Sequence, residues 1–244
     1  MIVLKDISVK NIGQKENILT NINLNFYPNQ FVAIIGKSGV GKTTLLNTLC
    51  LNVVITHGCI EYKTFLFDKN TRKKLKNYRK KIGIISQNST LINEISVFDN
   101  LKIYLSNENN LFYKLFNIIT KEQKSKIFNV LEQLNILDKV FYKPLDLSGG
   151  ESQRVEIAKI LLKKPEIILA DEPTSNLDIN NSLLTIKLLK EVATKENSIV
   201  LINLHDTKLL NDNFDRVIGI KNRSIMLNKE PKKITKKDLR DLYE

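Results

Sequence analysis

One short stretch around residue 40 constrains the fold more than any other part of the chain. An apolar run over residues 31–35 has strand character, and a stretch that favours a helix begins near Lys42. Backbone N–H groups can wrap a polyphosphate closely where glycine replaces larger residues, and a following helix points its positive end at the phosphates. The stretch therefore predicts a strand–loop–helix unit that binds a nucleotide, rather than an ordinary glycine-rich turn. It matches G-x-x-x-x-G-K-[ST] through Gly36, Lys37, Ser38, Gly39, Val40, Gly41, Lys42 and Thr43, and continues with Thr44.

Two carboxylates follow a second apolar stretch. Asp171 and Glu172 come directly after residues 167–170, which are all apolar. Because ligands bind at the carboxyl ends of strands in open α/β sheets, we expect both carboxylates to lie near the phosphate loop, residues 36–44. Lys42 would contact the β- and γ-phosphates, Thr43 and Asp171 would hold Mg²⁺, and Glu172 is the candidate general base. An acidic loop without a chemical role is the alternative, and the phosphate loop argues against it.

Gln87 ends a short apolar strand and is a candidate ligand, through its amide oxygen, of Mg²⁺ or of the attacking water. By itself it indicates no more than a polar strand end. Gln87 is a candidate because we expect it to lie between the core and a helical insert.

A second glycine-rich turn precedes a predicted helix that runs to about Lys164. Ser148, Gly149, Gly150 and Glu151 form an S-x-x-E capping box, and the glycines leave N–H groups bare at a helix N-terminus, where anions bind. One nucleotide cannot easily be wrapped by this turn and by the phosphate loop of the same subunit. Two copies arranged head to tail could enclose two ATP molecules.

The rest of the chain predicts an α/β fold. Residues 2–9 and 18–26 have strand character, and two further strands are expected at residues 53–55 and 59–67, on either side of His57 and Gly58. Residues 88–143 contain no glycine and have helical periodicity, which indicates a helical subdomain inserted into the core. Strands that alternate with helices elsewhere predict a largely parallel sheet.

Composition excludes few functions. The net charge is +12, which suits a nucleic-acid or anionic-lipid surface, but the richness in Lys, Asn and Ile is equally typical of A/T-rich coding. We favour the second explanation, with attraction to an anionic inner membrane face as a secondary effect. The two cysteines, Cys50 and Cys59, fit a reducing compartment. No stretch has the length of a spanning helix or the pattern of a signal peptide, so we expect a cytosolic chain.

Taken together, the motifs resemble those of ATP-binding-cassette (ABC) ATPases, in the family's order and over nearly the whole chain. The resemblance implies a P-loop NTPase (RecA-like) core with an antiparallel β-subdomain and an inserted helical subdomain. It implies a single domain over residues 1–244, with the core in 1–87 and 148–228, the helical subdomain in 88–147 and a tail in 229–244. It also implies ATP and Mg²⁺ as cofactors. The matches are residues 36–44 (Walker A), Gln87 (Q-loop), 147–151 (signature), 167–172 (Walker B), 175–178 with Asp178 (D-loop) and His205 (switch histidine).

The same resemblance implies a dimer, in which Ser148, Gly149 and Gly150 of one subunit close on the γ-phosphate held by the other. His205 would contact that phosphate and help to place the water. Two departures from the family pattern affect the site. Glu151 stands where the family has Gln, which adds a negative charge near the phosphates. Ile12 stands near the position where the family stacks adenine on an aromatic ring, and it can offer only an apolar contact.

Several stretches resemble phosphonate-importer ATPases and the related uptake ATPase of wall-less bacteria. This resemblance implies the ATPase of an importer at the cytoplasmic face of the membrane, with a second ATPase subunit, an integral-membrane permease and a substrate-binding lipoprotein as partners. The cargo would be a phosphonate, thiamine or thiamine phosphate. Residues 170–178 also resemble lipoprotein-release and macrolide exporters, and a soluble cassette acting on nucleic acid or ribosomes is the third alternative, although no nucleic-acid partner is expected. The importer resemblance rests on residues 111–116, 137–139, 203–206, 215–220 and 239–243.

Overall fold

The structure is a computed structural model, and it describes residues 1–70, 75–87, 89–106, 119–175, 177–210 and 212–244. Three parts of the sequence lie outside these ranges: the basic residues 72–74, the importer-like stretch 111–116, and Asn176 of the predicted D-loop. The strands are β1 (Ile2–Lys10), β2 (Leu19–Phe26), β3 (Phe31–Ile35), β4 (Val54–Tyr62), β5 (Phe65–Asp68), β6 (Ile82–Ile85), β7 (Ile167–Asp171), β8 (Ile199–Asn203), β9 (Arg216–Lys221) and β10 (Ser224–Lys229). The α-helices are α1 (Lys42–Leu49), α2 (Leu75–Arg79), α3 (Val97–Ser106), α4 (Lys121–Gln133), α5 (Gly149–Lys163), α6 (Ile179–Glu196) and α7 (Lys236–Tyr243).

The central sheet has the order β10-β9-β3-β8-β7-β6. Its neighbouring strands from β9 to β6 are parallel, and only the edge strand β10 runs antiparallel to its neighbour. Each residue of β3 is buried, with Phe31 and Ala33 in the core on one face and Val32 and Ile34 in the core on the other. Side chains alternate across a strand, so β3 must be covered on both faces, which is why it is an unbroken apolar run.

The second sheet is antiparallel, in the order β2-β1-β4-β5. The predicted break at His57 and Gly58 is wrong, because β4 continues through both residues, and the chain turns instead between β4 and β5. Gly58 has φ of +75°, and a Cβ there would lie 2.2 Å from the carbonyl oxygen of Lys5. The pairing of β4 with β1 shifts register between Lys5 and Ser8. The glycine therefore marks an irregularity within a strand rather than its end.

Glu166 joins the two sheets. Burial alone raises the pKa of its carboxyl, but hydrogen bonds from Lys63, Lys81 and Tyr62 outweigh this effect and lower the pKa to about 2. Tyr62 and Lys63 lie at the end of β4, whereas Glu166 and Lys81 precede β7 and β6 in the central sheet.

Helices α3, α4 and α5 contact one another and form the predicted helical part. The expected periodicity of α4 is confirmed, since Ile127 and Leu131 are both buried in the core. The packing extends beyond residue 147, because α5 contacts both of the other helices. The boundaries of the helical subdomain, proposed after residues 87 and 147, stay a prediction.

A buried ion pair ties α5 to the segment that follows Gln87. Glu156 and Lys159 are 3% and 2% exposed, and their charged groups are 2.7 Å apart. Ser89 donates its hydroxyl proton to Glu156 at 3.0 Å, and the backbone N–H of Thr90 donates to the same carboxylate at 2.6 Å. Lys159 also donates to the hydroxyl of Thr90. This clamp, formed by Glu156, Lys159, Ser89 and Thr90, holds the 89–90 segment against the middle of α5.

Within the tail, helix α7 lies against the β9–β10 hairpin. Leu242 is fully buried, and it packs so close to Gly219 that a Cβ there would lie 3.0 Å from its side chain. Among the described residues we found no helix with the length and apolar character needed to cross a bilayer.

Candidate nucleotide site

The phosphate loop connects β3 to α1 as the sequence predicts. Gly36 has φ of +147°, and a Cβ there would lie 2.6 Å from the carbonyl oxygen of Ile220. Gly41 has φ of +112° and is packed against the side chain of Leu19. No side chain caps the N-terminus of α1, and its first turn contains no acidic residue. Its first N–H groups therefore stay available to an anion.

Lys42 is held inside the loop and is only 6% exposed. Its ammonium group donates to the carbonyl oxygens of Gly36 at 3.0 Å and Lys37 at 3.3 Å. Burial lowers the pKa of Lys42, and the nearby charges of Glu172 and Asp171 oppose that shift. Because an ammonium group has three donors, one remains for a ligand.

Thr43 and Asp171 come together at the end of β7. The hydroxyl of Thr43 donates to Oδ1 of Asp171 at 3.1 Å, and Nδ2 of Asn203 donates to the same oxygen at 2.6 Å. No hydrogen bond reaches Oδ2 of Asp171 from the part of the chain that the structure describes. A hydroxyl and a carboxylate side by side are the hard oxygen ligands that Mg²⁺ prefers, so this pair fits the expected metal.

Glu172 follows in a left-handed conformation, with φ of +50°. Such strain in a non-glycine residue is typical of functional sites. Nε2 of Gln87 lies 3.4 Å from Oε2 of Glu172, so the structure places these two predicted residues next to each other.

Glu172 also lies between two clefts. The first, of about 500 Å³, is lined by the phosphate loop, including Lys42 and Thr43. The second, of about 410 Å³, is lined by the exposed His205 together with Ser175 and Asp206, and Glu172 lines both. The switch histidine and the phosphate loop thus approach Glu172 from different sides.

The signature turn is formed as predicted but lies apart from both clefts. Ser148 caps α5 by accepting from the N–H of Glu151 at 3.3 Å, and Glu151 accepts from the N–H of Ser148 at 2.8 Å. These bonds, led by the backbone N–H of Ser148, lower the pKa of the Glu151 carboxyl. The ammonium group of Lys139 lies 3.6 Å from the same carboxylate. None of the residues Ser148, Gly149, Gly150 and Glu151 lines either cleft.

Asp178 adjoins the signature turn rather than the phosphate loop. It caps α6 by accepting from the backbone N–H groups of Asn180 and Asn181. The hydrogen bond from the N–H of Asn181 is the largest cause of the lowered pKa of the Asp178 carboxyl. Asn181 in turn lies beside Gly150, where an added Cβ would be 3.1 Å from its Oδ1. The predicted D-loop and signature residues therefore share one surface.

The lining of the first cleft includes three residues that come before β2 in the sequence. Ile12 is 71% exposed and does not line the cleft, whereas Asn11, Gln14 and Ile18 do. The role of Ile12 in ATP binding stays a prediction. Asn203 is a further residue that sequence reasoning missed, since only the strand register of β8 beside β7 places it opposite Asp171.

Comparisons with known proteins agree with this geometry. The family model described as ABC transporter matches residues 19–175. A probable ABC transporter ATP-binding protein p29 of Mesomycoplasma hyorhinis is 37% identical over 242 residues, covering 99% of this chain and 96% of that protein. The phosphonates import ATP-binding protein PhnC of Fusobacterium nucleatum is 33% identical over 238 residues, covering 97% and 95%.

Two solved structures are similar in fold. One is cbiO1 of Clostridium perfringens, part of the ABC transporter complex cbiONQ, with a TM-score of 0.85, 25% identity, and coverage of 98% of this chain and 92% of that one. The other is a dimeric ATP-binding cassette in a post-hydrolysis state bound to ADP and Pi, with a TM-score of 0.78, 28% identity, and coverage of 95% and 99%. The predicted α/β core with an antiparallel sheet and a helical part is confirmed.

Proposed function

The chain belongs to the ABC transporter family and is a transport ATPase that binds ATP, and from this premise we propose that it drives an importer. Two copies close around ATP, and this closure moves a separate integral-membrane permease. The names of the relatives support import over export: the proteins similar over nearly the full length include phosphonate-import ATPases. They also favour an importer over a cassette that acts on nucleic acid.

The observation that carries the proposal is the division of the site. One cleft contains Lys42, Thr43 and Glu172, while the signature turn lies on a different surface of the same chain. The N-terminus of α5 is a second candidate anion site, and it would have a function if it completed the cleft of another copy. The solved cassette bound to ADP and Pi is itself dimeric.

Each residue then has a definite task. N–H groups of residues 36–44 and the ammonium group of Lys42 bind the phosphates. Thr43, Asp171 and the amide oxygen of Gln87 are the proposed ligands of Mg²⁺, which when bound neutralises charge on the phosphates. Glu172 accepts a proton from the attacking water, and His205, across the second cleft, orients the water and the γ-phosphate.

The remaining partners follow from the same proposal. A permease would select the cargo together with a substrate-binding lipoprotein, and the ATPase would lie on the cytoplasmic face of the membrane. A phosphonate-like compound is the cargo that the relatives' names favour, with thiamine or its phosphate as the alternative.

Co-purification tests the proposal. The full chain is isolated from membranes of its own cells in mild detergent, once with and once without nuclease. We expect an integral-membrane protein and a substrate-binding lipoprotein to remain attached in both samples. Ribosomal RNA or DNA in place of a membrane partner would contradict the import role.

A further inference from the structure

Asn203 ends β8 in a position where an amide is costly. It is fully buried, and its Oδ1 has no hydrogen-bond partner among the described residues. A buried polar atom without a partner destabilises the folded chain, because it loses its hydrogen bonds to water and gains none. An apolar residue would extend β8 without this cost, as Ile202 and Leu201 do in the same strand. Folding of the strand alone thus gives no reason for the amide.

The other half of the same amide makes a short hydrogen bond to the site. Nδ2 of Asn203 donates to Oδ1 of Asp171 at 2.6 Å. The reverse orientation of the amide would bring two oxygens together at that distance, so the donor must face the carboxylate. Asp171 and Asn203 are direct partners in the β7–β8 register, which fixes the geometry through the backbone of both strands.

Two donors converge on one oxygen of Asp171. Thr43 and Asn203 both bond to Oδ1, and this leaves Oδ2 directed elsewhere, without a hydrogen bond from the described residues. A Thr43 hydroxyl that ligates a metal through its oxygen can still donate its proton to Oδ1, but its position is then set partly by the metal. Asn203 is the donor on Oδ1 whose position is set by the strand register and not by the metal.

We propose that Asn203 is a positioning residue that orients the Asp171 carboxylate for Mg²⁺ and thereby sets the Mg²⁺ concentration at which the subunit binds its nucleotide. The inference rests on the proposed role of Asp171 as a metal ligand. Residues that hold metal ligands through hydrogen bonds affect metal affinity about 10–100-fold when they are replaced. The buried Oδ1 has no hydrogen-bond partner among the described residues and can accept a hydrogen bond from a water molecule at such a site.

Binding of a fluorescent ATP analogue, N-methylanthraniloyl-ATP, is followed while Mg²⁺ is titrated, and it is measured again in EDTA. In Asn203→Leu we expect the half-saturating Mg²⁺ concentration to rise about tenfold or more, with nucleotide binding in EDTA unchanged. If nucleotide affinity falls in EDTA by as much as it falls with Mg²⁺, the variant has general damage to the fold, and the inference is overturned. An unchanged Mg²⁺ requirement would overturn it as well.

A matched control lies on the same strand. Ser198 precedes β8, is fully buried, and donates to the carbonyl oxygen of Pro165 at 2.6 Å, at the far end of the strand from Asp171. Ser198→Ala should lower the thermal stability, because it removes a buried hydrogen bond, and should leave the Mg²⁺ titration as in the wild type. A shifted titration in Ser198→Ala would mean that loss of any buried hydrogen bond on β8 has this effect.

Three further variants keep the test decisive. If Asn203→Leu fails to fold, Asn203→Thr is compared with Asn203→Val, because these side chains have the same shape and only threonine retains a donor. The threonine variant should need less Mg²⁺ than the valine variant, and equal requirements would contradict the inference. Asp171→Asn separates the two proposals: if it leaves the Mg²⁺ requirement unchanged, the proposed role of Asp171 fails, whereas a change there without one in Asn203→Leu refutes only the role of Asn203.

Discussion

The two glycine-rich helix N-termini of this chain are built in opposite ways. The N-terminus of α1 has no cap from any described side chain and no acidic residue in its first turn, so its first N–H groups stay available to an anion. The N-terminus of α5 is occupied by a complete capping box from Ser148 and Glu151. We propose that the first N-terminus binds the nucleotide of its own subunit. On the same proposal the second completes the site of another copy, and the negative charge of Glu151 would then lie near the phosphates of that copy.

The two glycine-rich helix N-termini also differ in what holds them in place. The phosphate loop is fixed by contacts to Ile220 and Leu19, and its lysine is buried. The signature turn is fixed mainly within itself and against Asn181. We therefore expect changes at the first site to affect chemistry within one subunit, and changes at the second to affect closure between subunits.

Glu172→Gln should have the largest effect, because it removes the general base and retains the shape of the side chain. We expect ATP hydrolysis to fall by a factor on the order of 10²–10⁴, and an ATP-bound dimer to accumulate. Phosphate release and size-exclusion chromatography with ATP measure the two effects. Glu191→Gln, an exposed acid on α6, is the control. Hydrolysis at the wild-type rate in Glu172→Gln would refute the assignment of the base.

Gly150→Ala tests the other surface. The new Cβ would lie 3.1 Å from Oδ1 of Asn181, so the signature turn or the Asn181 side chain must give by a few tenths of an ångström. We expect ATPase activity to fall by up to about tenfold, which is less than the roughly 100-fold loss that a misplacement of about 1 Å can cause. ATP affinity of the separate subunit, measured by calorimetry, should stay constant. Ser152→Ala on the same helix is the control, and a loss of ATP affinity in Gly150→Ala would abolish the distinction between the two N-termini.

Glu151→Gln should have a smaller effect in the opposite direction. Glutamine can still accept from the N–H of Ser148, so the cap is retained, while the negative charge beside the phosphates is removed. A charge near a helix end contributes about 0.3–1 kcal/mol, so we expect ATPase activity to stay the same or to rise up to about fivefold, more clearly at low salt. A large loss of activity would mean that the carboxylate itself is needed.

The same carboxylate predicts a dependence on pH. The pKa of Glu151 is lowered in the folded chain, chiefly by the N–H of Ser148. A lowered pKa means that the cap contributes stability above the unfolded-state pKa and loses this contribution as the pH falls through the folded-state value. The unfolding temperatures of the wild type and of Glu151→Gln should therefore approach each other as the pH falls below about 4.3. A difference between the two proteins that widens there would contradict this interpretation.

Nucleotide choice should show the smallest effect. The cleft at the phosphate loop is lined by Asn11, Gln14 and Ile18, and the exposed Ile12 is not among its lining residues. Stacking on an aromatic ring contributes about 1–3 kcal/mol per base, and without it we expect the dissociation constants of ATP and GTP to agree within about fivefold. Competition binding measures both, and tight binding of ATP alone would show that another contact selects adenine.

The sequence predicts the parts of this site that depend on local backbone geometry. The phosphate loop, the S-x-x-E cap and the apolar strands before Asp171 and Asn203 are recognisable because each needs particular residue types at fixed spacing. Contacts that depend on strand register are not recognisable in this way. Asn203 has no motif of its own, and Glu166 becomes the junction of two sheets only once β4 and β7 lie near each other.

Local signals can also mislead. Gly58 has the appearance of a turn residue, but it lies within β4, where a register shift against β1 brings it onto the carbonyl oxygen of Lys5. At Gly58 the tertiary structure therefore overrides a correct local interpretation of the residue type. The role of Ile12 in base contact stays a prediction, with Ile18 as the apolar residue that lines the cleft.

The clamp between α5 and the segment after Gln87 has an evolutionary consequence. Removal of either Glu156 or Lys159 alone would leave a buried charge without its partner, which costs about 3–5 kcal/mol, whereas joint replacement by apolar residues can be neutral. We expect substitutions at these two positions to occur in pairs among descendants of this sequence, with Ser89 and Thr90 free to vary only after the pair has changed. The path open to this lineage thus passes through double replacements, and single ones are eliminated by selection.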